Sequence, residues 1–222
     1  MPTGTEIERR DQAIMAMLLL TCMRDAAVIS LKLQHIDITR RYVFQDPRQV
    51  KTKFSKAIET FFYPVGDDIF EIMKRWVEYL TTEKQFVAND PLFPKTLNGH
   101  DEYQNFIPIG PSREHWANAT HVLNIFRTAF ERVGLPYANP HSIRNTLTQF
   151  AYTLKLTPEE FKAWSQNMGH ENPATTYGYG QVSIERQAEI INQLGQPQPI
   201  ILPTDDMATQ IAKKVAAMLK NE

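Results

Sequence analysis

The sequence predicts a mainly α-helical domain that carries a small antiparallel β-sheet, an α+β fold. Three observations predict it. Residues 6–23 contain a nearly continuous apolar stretch, Ile14-Met-Ala-Met-Leu-Leu-Leu20, which reads as a buried helix. Three short alternating segments, 41–44, 49–54 and 59–65, are separated by Asp46-Pro47 and Ser55-Lys56 and read as strands of one sheet. Helix-start signals then recur through the C-terminal half.

In chain order, a second short helix is expected from Asp25 to about Leu33, ahead of the strands. Asp67 or Asp68 caps a helix to about Thr82, with carboxylates near its start as the helix dipole prefers. Residues 86–112 hold four prolines and two glycines without a clear period and read as a long loop. Helices follow at about 113–133 and 141–154. Thr157-Pro158-Glu-Glu starts another, with Thr as N-cap and Pro in the first turn. Ser183 starts one more, to Leu194. The expected organisation is a domain at 1–194, a proline-rich tether at 195–205, and a C-terminal helix at 206–222 with an apolar stripe of Met207, Ile211, Val215 and Met218.

A chain of 222 residues can bury a substantial core in one domain. The lone cysteine, Cys22, excludes an intrachain disulfide and a multi-cysteine metal site, and fits a reducing, cytoplasmic setting. The longest apolar run falls far short of the ~20 residues that span a membrane. The net charge of −1 argues against nucleic-acid binding by bulk electrostatics. The positive excess is local: residues 1–60 hold ten Lys+Arg against seven Asp+Glu, with Arg40, Arg41, Arg48, Lys51, Lys53 and Lys56 close together. The six histidines lack His-x-x-x-His spacing, and neither a phosphate-binding P-loop nor a Gly-x-Ser-x-Gly elbow is present. No metal, nucleotide or other cofactor is therefore expected.

The chemistry-bearing residues cluster into motifs. Arg24 lies in Cys22-Met-Arg24-Asp-Ala-Ala-Val, an apolar setting where a guanidinium is costly unless an anion meets it. A capping or ion-paired arginine, with Asp25 as partner, is the bland alternative. His141-Ser-Ile-Arg144 follows Asn139-Pro140, so both side chains share one face near a helix N-terminus. A capping histidine with a surface arginine is the alternative there. Gly169 permits the turn that ends the helix begun at Pro158 and delivers His170. Tyr177 and Tyr179 follow. Lys53 and Lys56 bracket a turn, where lysines are usually just solvated.

Taken in this order, Arg24, Lys53, His141-x-x-Arg144, Gly169-His170 and Tyr179 resemble the active site of the tyrosine recombinase (phage integrase) family over about residues 6–194. The resemblance implies the family's catalytic-domain fold, double-stranded DNA as partner, and cleavage through a 3′-phosphotyrosyl bond without metal or ATP. It implies that Tyr179, nine residues after His170, is the nucleophile, with Tyr177 in packing or substrate contact. Arg24 and Arg144 would hold the scissile phosphate, His141 would take the phenol proton, and His170 would donate to a phosphate oxygen. Lys53 would protonate the leaving 5′-oxygen, with Lys56 still open for that role. One position departs from the family: Ala27 stands where an acidic residue commonly supports the first arginine, and Asp25 is a candidate substitute. The family's N-terminal DNA-clamping domain does not precede Arg9, so a catalytic-domain piece of a longer protein is expected. The C-terminal helix is expected to dock on a neighbouring protomer, or else to pack on its own domain. A type IB topoisomerase-like enzyme and an inactive DNA-binding relative are the other readings of the set.

Overall fold

The computed structural model describes residues 1–52, 55–180 and 182–194. The chain divides into two units, Met1–Gln181 and Val182–Glu222. The expected tether at 195–205, the expected helix at 206–222 and Lys53 lie outside the described residues.

Helix α1 (Glu6–Thr21) is the spine of the first unit. Thr5 caps it in a reciprocal box with Glu8, which satisfies two otherwise free N–H groups. Ala13, Ile14, Met17, Leu18 and Leu20 are fully buried, as the continuous apolar run requires. The helix ends where Cys22 turns into the left-handed region at φ 56°. The chain then restarts as the short α2 (Asp25–Val28), with Arg24 at its N-cap rather than on the end of α1. A 3₁₀ turn, Leu33–His35, follows.

The sheet has three antiparallel strands in the order β1 (Ile36–Asp37), β2 (Tyr42–Gln45) and β3 (Ile58–Phe61). The expected strand at 49–54 is absent from residues 49–52. Asp46 takes over that stretch: its carboxylate accepts the Arg48 N–H, and its carbonyl accepts the Gln49 and Val50 N–H groups. Such an Asp-led turn outcompetes a ladder. The Lys51 N–H is then bonded to the Ser30 hydroxyl at 2.9 Å, which pins this loop beside α2.

Helix α3 (Asp67–Glu78) carries Asp67 and Asp68 in its first turn, with Gly66 rather than either aspartate as N-cap, and runs into a π-type turn, Tyr79–Glu83. The segment expected to be a loop contains a hairpin, β4 (Thr96–His100) with β5 (Phe106–Pro111), bulged at Leu97/Asn98. Helices α4 (Thr120–Arg132), α5 (Ser142–Thr153), α6 (Pro158–Asn167) and α7 (Pro173–Tyr177) complete the unit. Residues 113–119, expected at the start of α4, are not helical. The second unit shows α8 (Ile184–Leu194), close to its expected bounds.

Thr157 caps α6 with Pro158 in the first turn, as expected, and Thr157 and Glu160 add a reciprocal capping box. Its far end is closed by Gly169 at φ 77°: the Gly169 N–H bonds to Gln166 O and the His170 N–H to Ser165 O, the two bonds of a Schellman motif. A fork from Asn167 ties this helix to edge strand β3. The Asn167 amide accepts the Phe61 N–H at 2.7 Å and donates to Phe61 O at 2.9 Å. The Tyr63 hydroxyl donates to Trp164 O at 3.0 Å, and the two rings pack 4.4 Å apart. Sheet and helix end are thus joined where His170 emerges.

A methyl group on Gly169 would stand 3.3 Å from Ile58 and force an L-residue into the left-handed region. Gly169→Ala should lower the unfolding free energy by about 1–2 kcal/mol in urea denaturation. A variant as stable as the parent would show that the turn relaxes.

Candidate active site

The five expected site residues that lie among the described residues come together in the first unit, from four separate stretches of chain. Arg24 is delivered by the break between α1 and α2. His141 and Arg144 sit on the first turn of α5. His170 is presented by the Schellman turn after α6, and Tyr179 follows α7. A cleft of about 540 Å³ is lined by Arg24, Lys56, His170, Glu171 and Tyr179, among others. A small void of about 10 Å³ lies among Arg24, Arg144, Lys51 and Thr52.

Arg144 is 3 % exposed. Its Nη1 donates to His170 Nε2 at 2.9 Å and reaches Met168 O at 3.4 Å. Among the described residues neither Arg144 nor Arg24 has a carboxylate within ion-pair distance. The equally buried Arg10 behaves differently: it pairs with Asp11 at 2.7 Å and also bonds Pro94 O and Thr96. Arg10 is a structural arginine with its charge answered. Arg144 rests instead on the carbonyl end of α6, the partly negative pole of that helix.

Burial first, and then the charge of Arg144, pulls Arg24 below its usual range; Tyr179 and Cys22 act against the shift. A guanidinium stays protonated at neutral pH all the same. Two like charges face one space, an arrangement that an incoming anion relieves. The aspartate expected as partner of Arg24 is engaged elsewhere: Asp25 accepts the Ala26 N–H at 2.8 Å and acts electrostatically on His141. Ala27, at the position of the family's acidic residue, is buried at 2 % exposure among apolar side chains.

His141 stands at the N-cap of α5, but its side chain makes no capping bond. Asn139 meets the start of the helix instead, with its side chain accepting the Ser142 N–H at 3.1 Å and its carbonyl accepting the Ser142 hydroxyl at 2.6 Å. Burial, then Arg144 and Arg24, lower the His141 pKa below its usual 6.5, while Asp25 opposes. The ring is therefore neutral at pH 7 and able to accept a proton. Its centroid lies 5.7 Å from that of Tyr179. The His170 ring stacks on the same phenol, with the centroids 5.5 Å apart and the planes at 2°. Tyr177 points differently: it is 60 % exposed, stacks on Phe161 at 4.6 Å and does not line the cleft.

The ring of His170 is already engaged. Nε2 meets Arg144, and Nδ1 lies 2.8 Å from the Thr176 hydroxyl. Both ring nitrogens thus lie within hydrogen-bond distance of protein groups. Lys56 lines the cleft and forms an ion pair with Glu171. Lys51, which the sequence offered only as part of a basic cluster, borders the void beside both arginines. Its place follows from the Asp46 turn and the Ser30 bond, neither of which has a periodic signal. Cys22 borders the same void, and burial pushes its thiol up to about 11, so it is no nucleophile at neutral pH. Among the described residues no group of three or more His, Cys, Asp or Glu side chains could hold a metal ion, and no helix is long and apolar enough to cross a membrane.

An antiparallel sheet packed on a helical bundle, with arginines gathered around one tyrosine, is an arrangement that known proteins share. The phage integrase family model matches residues 3–186, and the chain belongs to that family. It is similar to tyrosine recombinase XerC of Alcanivorax borkumensis, 24 % identical over 181 residues that make up 82 % of this chain and 50 % of that protein. It is also similar to tyrosine recombinase XerC of Corynebacterium glutamicum, at 26 % over 191 residues, 86 % of this chain and 53 % of the relative. The chain spans about half the length of the curated relatives it matches. Among solved structures, the XerA recombinase aligns with a TM-score of 0.59 at 17 % identity over 89 % of this chain and 67 % of that one. The XerH site-specific recombinase in its post-cleavage complex with a palindromic difH substrate aligns at 0.58 and 14 % identity, over 88 % and 48 %. These likenesses establish the fold as that of the recombinase catalytic domain.

Because His141 has a lowered pKa in the folded chain, the folded form binds its proton more weakly than the unfolded one. Its contribution to stability is full above pH 6.5 and falls away as the pH drops through 6.5 towards the folded value. An NMR titration should place the His141 midpoint below 6.5 and move it upward in Arg144→Ala. A midpoint that ignores the substitution would remove Arg144 as a cause.

Proposed function

We propose that this domain is the catalytic part of a site-specific DNA recombinase that cleaves and rejoins strands through a covalent 3′-phosphotyrosyl intermediate. The observation that carries the reading is the pair Arg24 and Arg144, uncompensated by carboxylates among the described residues and gathered with two histidine rings around Tyr179. A tetrahedral phosphodiester supplies the missing negative charge, and guanidinium groups match it with paired donors. Membership of the family, and the DNA-bound state of the related XerH structure, support the same partner.

In this mechanism the Tyr179 oxygen attacks phosphorus as the bond to the 5′-oxygen breaks. The phenol proton passes to His141, which is neutral for that purpose. Arg24 and Arg144 stabilise the extra charge of the five-coordinate transition state. A lysine protonates the leaving 5′-oxygen. Lys53 is the proposal from sequence, and Lys51 and Lys56 also qualify, the first beside the arginines and the second on the cleft wall. The covalent bond keeps the energy of the phosphodiester, so a second 5′-hydroxyl can attack it and strands are exchanged without ATP. Self-association on DNA through residues 206–222 belongs to the same reading.

The direct test is a nicked suicide duplex that traps cleaving enzyme on DNA. Tyr179→Phe should abolish the adduct and leave DNA binding nearly intact, and peptide mapping of the parent adduct to Tyr177 would overturn the assignment. Arg24→Ala and Arg144→Ala should each slow cleavage by at least ~10²–10³. Cleavage within a few-fold of the parent would mark that arginine as structural. A substrate with sulfur in place of the leaving 5′-oxygen needs little protonation. It should rescue the alanine variant of the true general acid among Lys51, Lys53 and Lys56, and leave Arg144→Ala impaired.

A further inference from the structure

Two residues ahead of the proposed nucleophile stands an aromatic ring that the chemistry above leaves unused. Helix α7 is only five residues long. A helix shorter than roughly 12 residues does not hold its shape in water by itself, so packing must hold this one. The position of Tyr179 depends on it. The Tyr179 N–H bonds to Thr176 O at 2.9 Å and the Gly178 N–H to Ala174 O at 3.2 Å, so the backbone of Tyr179 continues the last turn of α7. On the inner side of that turn Thr176 is fully buried, with its Oγ1 2.7 Å from Ser165 Oγ on α6. On the outer side the Tyr177 ring stacks on Phe161 of α6, at 4.6 Å and 17°. Phe161 in turn stacks on Tyr152 of α5, at 5.9 Å and 3°. Three rings, one from each helix, form a ladder. Both separations fall within the ~4.5–7 Å at which aromatic rings attract.

We propose that Tyr177 is a positioning residue: its stack on Phe161 and Tyr152 clasps α7 to α6 and α5, and so holds Tyr179 beside the His141 and His170 rings. This rests on the reading of Tyr179 as the nucleophile. Helix α5 carries His141 and Arg144 at its start and Tyr152 in its last turn. The ladder therefore ties the helix of the proposed phosphate ligand to the helix that sets the nucleophile. Tyr177 is 60 % exposed and does not line the cleft, so its removal leaves the core and the cleft walls in place. What it takes away is the outer attachment of α7. A displaced nucleophile loses its attack geometry rather than the affinity for substrate, and small misplacements are costly in rate. A stack needs a ring face and no hydroxyl, so phenylalanine serves as well as tyrosine.

The test uses the full chain and two readouts. Amide hydrogen exchange, followed by NMR without DNA, reports whether the Tyr179 N–H stays bonded to Thr176. Single-turnover cleavage of a nicked suicide duplex that the parent cleaves, with DNA affinity measured separately, reports the consequence. Tyr177→Ala should exchange its Tyr179 N–H about tenfold faster and cleave about tenfold more slowly, with DNA affinity and melting temperature close to those of the parent. Tyr177→Phe should match the parent within about twofold in both readouts. Tyr177→Leu, which keeps bulk without a ring face, is read in place of Tyr177→Ala if that variant fails to fold. Parental exchange at Tyr179 in a folded Tyr177→Ala, or cleavage at the parental rate, would overturn the clasp. So would a Tyr177→Phe as slow as Tyr177→Ala, or a slowing matched by lost DNA affinity, since either would put Tyr177 on the substrate. An adduct that still forms in Tyr179→Phe would instead overturn the nucleophile reading beneath it, and the exchange result would stand by itself.

Discussion

A cationic side chain buried without a carboxylate among the described residues is the constraint on which this site depends. Desolvating a guanidinium costs several kcal/mol unless something negative meets it. Among the described residues Arg144 meets only uncharged partners: the carbonyl end of α6 through Met168, and a ring nitrogen of His170. That is enough to hold the group in place and too little to neutralise it. Arg10, at the same depth, shows what full compensation looks like, with Asp11 and two further acceptors around it. The difference separates an arginine whose charge is answered within the fold from one whose charge is open to the phosphate proposed above.

The remaining geometry serves the same end. Gly169 lets the chain reverse at once after α6, so the helix can present its carbonyls to Arg144 and its next residue, His170, to the same guanidinium. The left-handed Cys22 similarly breaks α1 early, which turns Arg24 towards Arg144 instead of continuing along the helix. Left-handed non-glycine residues carry strain that packing must outweigh, and here the surrounding core is fully buried. Burial, and after it the two arginines, lower the His141 pKa, so the groups proposed to meet the anion also favour the neutral ring proposed to accept the proton.

Most of this was legible from residue types whose chemistry is local. The Thr157-Pro158-Glu-Glu start, the buried spine of α1 and the turn at Gly169 follow from caps, hydropathy and one backbone angle. The motif order also located five of the gathered side chains. What escaped depends on contacts between distant segments. The hairpin at 96–111 was hidden because Gly99, Pro108 and a bulge interrupt its alternation, and β1 is only two residues long. The strand expected at 49–54 showed alternation, yet the turn of Asp46 captured its start. Ser165 and Thr176 carry no periodic or motif signal of their own; only the closure of α7 against α6 makes them neighbours. The placement of Lys51 is hidden for the same reason.

The fork from Asn167 to Phe61 has a consequence beyond alignment. Strand β3 is the edge of its sheet, and an edge with free N–H and C=O groups is a template on which another chain can add a strand and begin to aggregate. One side-chain amide occupies both groups of Phe61 and imitates the backbone of a fourth strand, one residue long. It ends the sheet as well as anchoring the helix. A substitution there would therefore register first as a loss of solubility on storage or heating, before any change in the chemistry of the site.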